Sequence, residues 1–376
     1  MMTTSSQTEY QPFDLTEEVL ASLVVTPGSA YPLGPALRLD GIRFSVVSRF
    51  ATRVWVGIFR DVQDLEPAWE FEYDNAKHRT GDVWSIHVGG LAQGVYYKYR
   101  MDGPYDPSAG HYFDASIYLL DPRAKAFVGN VYDDTIKSVL ILDGADRPCD
   151  TRPRIPMNET IIYEAHVGGL TQDSSSGVAN PGTYRGLIEK LPYLKSLGIT
   201  AIEVLPIQEL GETRLGRCSV KGGGELINYW GYSSIGFFAP TARYGCSAHT
   251  WEHVDEFREM VEAVHDEGME IILDVVFNHT SEGDQRGPNL CFRGMVNTIF
   301  YLMDDEGNYL NYSGCGNTVN CNHPLVRDFI LDSLRYWVSV FHIDGFRFDL
   351  ASILGRDQNG EVIENPPLVE RIAEDP

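Results

Sequence analysis

Short apolar runs broken by Gly, Asp or Pro occupy the chain from Gly41 to about Phe127: "IRFSVVS", "RVWVGIF", "WSIHV" and "VYYKYR". No helical period of any length appears there, and evenly spaced runs of this kind predict a small β-sandwich. The stretch "RPCDTRPRIP", Arg147 to Pro156, is rich in proline and charge and reads as a linker. After it the period changes. "TIIYEAHV" predicts a strand, and Thr183 to Leu197 then sets Leu187, Leu191, Leu194 and Leu197 at helical spacing before Gly198. "ITAIEVLPI" predicts a second strand. The next helix carries Val254, Phe257, Val261 and Val264 on one face, ends at Gly268 and leads into a third strand, "MEIILDVVF". A helix opening at Pro324 precedes a fourth, "FRFDLAS".

Four successive strand–helix units with nearly continuous apolar strands imply a parallel sheet covered on both sides. An open doubly wound sheet and a closed barrel both fit that pattern. The loops favour the barrel: helix-to-strand connections are hardly more than Gly198, Gly268 and Gly345, whereas Gln208–Ala248 and Asn278–His323 pile residues onto the carboxyl ends of the strands. A (β/α)8 TIM barrel builds its active site there.

Composition narrows the partners. Hydrophobic residues make up 43% of 376, enough for a sizeable core, and the net charge of −23 is spread along the chain. That balance argues against nucleic acid or an anionic membrane surface and leaves a neutral ligand open. No apolar run approaches the roughly 20 residues of a membrane span, and the opening "MMTTSSQTEYQPFDL" lacks a signal peptide's apolar stretch. A soluble, intracellular protein is expected. Cys149, Cys218, Cys246, Cys291, Cys315 and Cys321 form no paired metal motif, so free thiols are expected, although Cys315 and Cys321 are spaced to close a small loop.

The candidate chemistry lies at two strand exits. The third strand holds Asp274 and releases Asn278 and His279; the fourth carries Arg347 and Asp349, two positions apart and so on one face, with Phe346 and Phe348 on the other. A buried unpaired charge is costly, so Arg347 and Asp349 need a partner or a use. A guanidinium beside a carboxylate keeps it ionised and oriented, as a nucleophile requires. An isolated pair of this spacing is more often structural, but five polar groups converging on one rim favour a site.

"DVVFNH" and "GFRFDLAS" resemble signature strands of the alpha-amylase superfamily of glycoside hydrolases. "IYEAHVGGLT", "YWGYSS", "ILDVVFNHTSEGDQRGPNLCFRG", "YLNYSGCGNTVNCNHP" and "HIDGFRFDLAS" are similar to isoamylase-type starch and glycogen debranching enzymes, particularly plant and algal ones. The resemblance implies an amino-terminal extension (1–40), a starch-binding-type β-sandwich (41–146), a linker (147–159) and about the first four units of the catalytic barrel (160–376). It implies retaining cleavage of α-1,6 branch linkages in glycogen or amylopectin. Asp349 would be the nucleophile, Arg347 its supporting cation, Asp274 and His279 the ligands of the sugar ring, and Tyr232 the aromatic platform beneath it. No organic cofactor is implied; a structural calcium is compatible, with no ligand set legible. Homo- and hetero-oligomers are both open, and a plant-like source would mean a plastid.

Two residues depart from the family pattern: Gly168 stands where Arg is usual and Gly236 where Asn is usual, both expected on the substrate rim. Retention also needs a second carboxyl group as acid and base. None of Glu361, Glu364, Glu370 or Glu374 ends an apolar strand, so that group is expected beyond Pro376. A non-catalytic glucan-binding or regulatory subunit is the alternative, and hydrolysis of α-1,4 bonds is a weaker third. In the sandwich, Trp55, Trp84, Tyr96, Tyr97 and Tyr99 serve either as core or as a sugar-stacking face.

Overall fold

The computed structural model describes residues 10–141, 152–211, 226–247 and 250–375. Part of the expected linker (147–151), part of the loop after the second barrel strand (212–225 and 248), and Cys149 and Cys218 with their expected free thiols lie outside them.

The amino-terminal half is a sandwich of two antiparallel sheets. One has the strand order Val24–Pro27, Val83–Gly89, Gly41–Val47, Ala36–Arg38, with Arg79–Thr80 also on Val83–Gly89. The other runs Ala126–Val128, Lys137–Val139, Tyr96–Asp102, Arg53–Phe59, Trp69–Glu72, with Tyr118–Leu119 on Tyr96–Asp102. Residues 24–27 and 36–38 therefore belong to the sandwich rather than to an extension. Val25 pairs with Val88 and Leu37 with Ile42, which covers edges that the central strands would otherwise expose.

The aromatic residues of these strands are core. Trp84, Tyr97 and Tyr99 are fully buried, Tyr96 is 2% exposed and Trp55 5%. A guanidinium from Arg53 and another from Arg100 each stand 4.4 Å from the Trp55 ring, so no sugar face is available there.

Beyond the sandwich, β1 (Ile162–Ala165), β2 (Ala201–Val204), β3 (Glu270–Val275) and β4 (Gly345–Phe348) form a parallel four-stranded sheet in chain order. The helices α1 (Tyr184–Ser196), α2 (His253–Asp266) and α3 (Pro324–Phe341) precede β2, β3 and β4. Each starts and stops for a local reason. The Thr183 hydroxyl accepts from the Gly186 amide at the start of α1, and His323 caps α3 ahead of Pro324. Gly198 (φ 79°) and Gly268 (φ 74°) turn the chain after α1 and α2 in a conformation that favours glycine. Leu187, Leu191 and Leu194 are buried as the spacing predicts, but α1 ends at Ser196 and Leu197 is exposed.

Sheet and helices share an apolar layer. Ile271, Leu273 and Val275 belong to it with α2 and α3, where Phe257, Trp337 and Phe341 pack edge to face and stacked. Phe346 and Phe348 join this layer, which sends Arg347 and Asp349 to the opposite face, as the alternation predicts.

The two halves are not separate bodies. Phe59, Tyr96, Leu120 and Phe127 of the sandwich belong to the same apolar cluster as the barrel helices, and the Ser48 hydroxyl donates to the Met295 carbonyl at 2.7 Å. Gly236 lies in this seam: a Cβ there would stand 2.4 Å from Cε2 of Phe127. The expectation that Gly236 shapes the substrate rim is corrected, since the ring of Phe127 fills the space an asparagine side chain would need.

Candidate active site

Parallel register sets Asp274 on β3 directly beside Arg347 on β4, and the amide of Asp349 donates to the Val275 carbonyl at 3.0 Å. The backbone thus fixes both carboxylates before any side-chain contact forms. Nη1 of Arg347 lies 3.0 Å from each oxygen of Asp274 and 3.1 Å from Oδ1 of Asp349. One cation serves two acids, which answers how this apolar strand carries charge. Burial works against the guanidinium's charge, but the hydrogen bond to Asp274 and that residue's charge outweigh it and raise the pKa of Arg347 above the ordinary value.

The other oxygen of Asp349 meets Asn278, whose Nδ2 donates to Oδ2 at 2.8 Å and to the Asp349 carbonyl at 3.0 Å. This fixes the amide's orientation, because both neighbours of Nδ2 are acceptors. Oδ1 of Asn278 then faces Nδ1 of His279 at 2.6 Å, and Nε2 of His279 faces the Tyr232 carbonyl at 3.1 Å. Tyr232 closes the ring by donating its hydroxyl to Oδ2 of Asp274 at 2.5 Å. The circuit runs Tyr232, Asp274, Arg347, Asp349, Asn278, His279 and back to Tyr232.

Burial raises the pKa of Asp274 against the opposing bonds from Tyr232 and Arg347, and raises that of Tyr232, which stays a donor. Both nitrogens of His279 face acceptors, so the geometry favours imidazolium while burial lowers its pKa. The contacts to Asp274 are all donors, leaving no acceptor for an acid proton. Asp349, a quarter exposed, is the carboxylate open to a ligand.

The five residues singled out from the sequence, Asp349, Arg347, Tyr232, Asp274 and His279, are brought into this one cluster. Asn278, expected on the rim without a role, joins them; its position at the exit of "LDVVFNH" is the available signal. Glu203, half-buried on β2, escapes the sequence pattern. Its pKa is raised by burial and then by Asp274, which puts it on the same inner face. Gly168 does stand near the rim, where a Cβ would meet His166 at 3.0 Å and Tyr244 at 3.2 Å. Cys315 is exposed and Cys321 buried, and both are free thiols, so they close no loop. Among the described residues no group of three or more His, Cys, Asp or Glu side chains is arranged to hold a metal ion, and no helix is long and apolar enough to cross a membrane.

A sandwich fused to a parallel α/β unit, with a carboxylate, a shared guanidinium and a tyrosine at the strand exits, defines a class. Residues 157–286 match the family described as alpha amylase, catalytic domain, and residues 32–124 match carbohydrate-binding module 48, the isoamylase N-terminal domain; these parts of the chain belong to those families. Within that class the likeness is to isoamylase-type proteins. The chain is 38% identical to isoamylase 1, chloroplastic, of Arabidopsis thaliana over 94% of its own length and 50% of that protein. It is 38% identical to the glycogen operon protein GlgX homolog of Mycobacterium bovis, over 93% of this chain and 52% of the relative. Pullulanase from Paenibacillus barengoltzii, solved with maltohexaose and alpha-cyclodextrin, shares the fold: TM-score 0.72 at 24% identity, over 87% of this chain and 49% of that one. The chain spans about half the length of the curated relatives it matches.

Proposed function

We propose that this is the nucleophile half of a retaining glycoside hydrolase acting on α-1,6 branch points of glycogen or amylopectin. The observation that carries the reading is Asp349 held between Arg347 and Asn278, one donor on each oxygen, with its remaining lone pairs open. An oriented carboxylate of this kind attacks the anomeric carbon. The glycosidic C–O bond breaks, a glycosyl ester forms, and water opens it. Asp274 and His279 take the sugar's hydroxyls, and Tyr232 lies under its ring.

The departing oxygen needs a proton from a second carboxyl group about 5 Å from the nucleophile. Asp274 is unsuited, since donors occupy its oxygens. On this reading the acid comes from the part of the relatives' length that this chain does not span. The substrate is a neutral branched α-glucan, in keeping with the acidic chain. The compartment follows the source, a plastid for a plant or alga as in the chloroplastic relative.

The test is Asp349→Asn in a chain extended to the relatives' full length. Release of reducing ends from amylopectin should fall by roughly 10³-fold or more with the circular dichroism unchanged. Activity within tenfold of the parent overturns the assignment.

A further inference from the structure

Five of the six tryptophans are covered: Trp84 and Trp337 fully, Trp55 and Trp251 nearly so, and Trp69 in part, stacked on Phe71. Trp230 is 60% exposed. Single exposed apolar residues are ordinary on a surface, so exposure alone carries nothing. Trp230 is set apart by where it stands and how it is held.

Its ring centroid lies 6.4 Å from that of Tyr232, with the planes inclined at 47°. Tyr232 is the residue whose hydroxyl rests on Asp274, so the two rings form a ledge that starts at the cluster and runs outward. The turn beneath is pinned on both sides of the indole. Arg243 donates to the Asn228 carbonyl at 2.7 Å, and the Asn228 side chain accepts from the Gly231 amide at 3.2 Å. The Ser233 amide donates to the Gly231 carbonyl at 2.7 Å. Gly231 has φ 89°, and a Cβ there would stand 3.0 Å from the Pro206 carbonyl, so the turn needs glycine.

On the far side, Tyr229 stacks on His166 with centroids 4.4 Å apart and planes at 15°. Nδ1 of His166 accepts from the Gly169 amide at 2.8 Å, which leaves Nε2 to carry the hydrogen and donate to the Tyr229 carbonyl at 2.8 Å. Trp230 is therefore an exposed ring between two anchored neighbours. A ring held in this way binds a flat apolar face with little loss of freedom on contact.

We infer that Trp230 is the platform of a second glucosyl subsite, next to the one over Tyr232 and on the same glucan chain. The inference rests on the glucan reading above. Sugar rings offer apolar C–H faces with hydroxyls at the rim, and successive α-linked units are rotated against each other, which suits two inclined platforms. The ligand is neutral, so the acidic surface does not repel it.

The test is calorimetric titration of the 376-residue chain with methyl α-glucoside, maltose, maltotriose and maltotetraose. Trp230→Ala should weaken binding of the maltooligosaccharides roughly three- to tenfold and leave the monosaccharide unchanged. Trp230→Tyr should recover most of the loss, whereas Trp230→Leu, apolar but not planar, should not. Asp274→Asn should weaken every ligand. If Asp274→Asn weakens binding and Trp230→Ala does not, the second subsite is wrong and the glucan reading stands. Equal loss for all four ligands would also overturn it, because Trp230 would then act only through Tyr232. A parent chain that binds none of them overturns both readings.

Discussion

Arg347 and Asp274 face each other across adjacent parallel strands, with Nη1 of the arginine 3.0 Å from both oxygens of the aspartate. The same nitrogen reaches Asp349 at 3.1 Å, so the cation on β4 ties the buried acid of β3 to the more open acid at its own strand's end. Removing the guanidinium would leave two carboxylates facing each other with their shared counter-charge gone.

Asn278 is the residue whose role only the structure gave, and its removal tests the circuit. Asn278→Ala takes the donor from Oδ2 of Asp349 and frees His279. In a chain extended to the relatives' length, kcat/KM on amylopectin should fall roughly 10–100-fold, while Asn278→Asp, which sets a carboxylate beside Asp349, should do worse.

Asp121 supplies a pH dependence. It is buried, accepts from Tyr97 at 3.0 Å and from the Arg123 amide at 2.8 Å, and burial raises its pKa from 3.8 to about 6. A raised folded-state pKa means that the native state holds the proton more tightly. The stabilisation is fully present below about pH 4 and is lost as the pH rises through about 6. Relative to Asp121→Asn, the parent should lose up to about 3 kcal/mol between about pH 4 and pH 7, read from urea unfolding at each pH.

The seam gives a coupled pair. Gly236→Asn should destabilise the chain by about 1–3 kcal/mol, because its side chain meets Phe127. Phe127→Ala alone should cost about 3–5 kcal/mol through the cavity it leaves. In the double variant the asparagine enters that cavity, so the combined loss should fall short of the sum by at least about 0.5 kcal/mol.

The boundaries of the sandwich can be tested directly. Residues 41–127 expressed alone lack the strands Val24–Pro27, Ala36–Arg38 and Lys137–Val139, and expose Phe127 and Tyr96. That piece should elute as aggregate or show no cooperative unfolding.

Period and strand exits made the barrel half legible. The helical faces of Leu187–Leu194 and Val254–Val264 are buried where the spacing puts them, and Arg347 and Asp349 share a face because side chains alternate. What failed depends on contacts distant in sequence. Alternation does not say whether Trp84 and Tyr97 point at the opposing sheet or at solvent, since both outcomes keep a period of two. Val24 and Ala36 show no pattern of their own, and their segments become strands only because Val83–Gly89 and Gly41–Val47 offer edges. Gly236 reads as a rim residue until Phe127, distant in sequence, is seen to fill its space. Asn278 carries no charge to mark it.

A nucleophilic Asp349 can be trapped covalently. A 5-fluoro α-glycosyl fluoride has a leaving group that departs without a proton, so attack by Asp349 replaces the C–F bond with an ester and releases fluoride, with no need of a general acid. After incubation of the 376-residue chain and peptide mass spectrometry, one glycosyl adduct is expected on Asp349, absent in Asp349→Asn and slowed in Asn278→Ala. An unmodified Asp349, or an adduct on Asp274 instead, would contradict its role as the nucleophile.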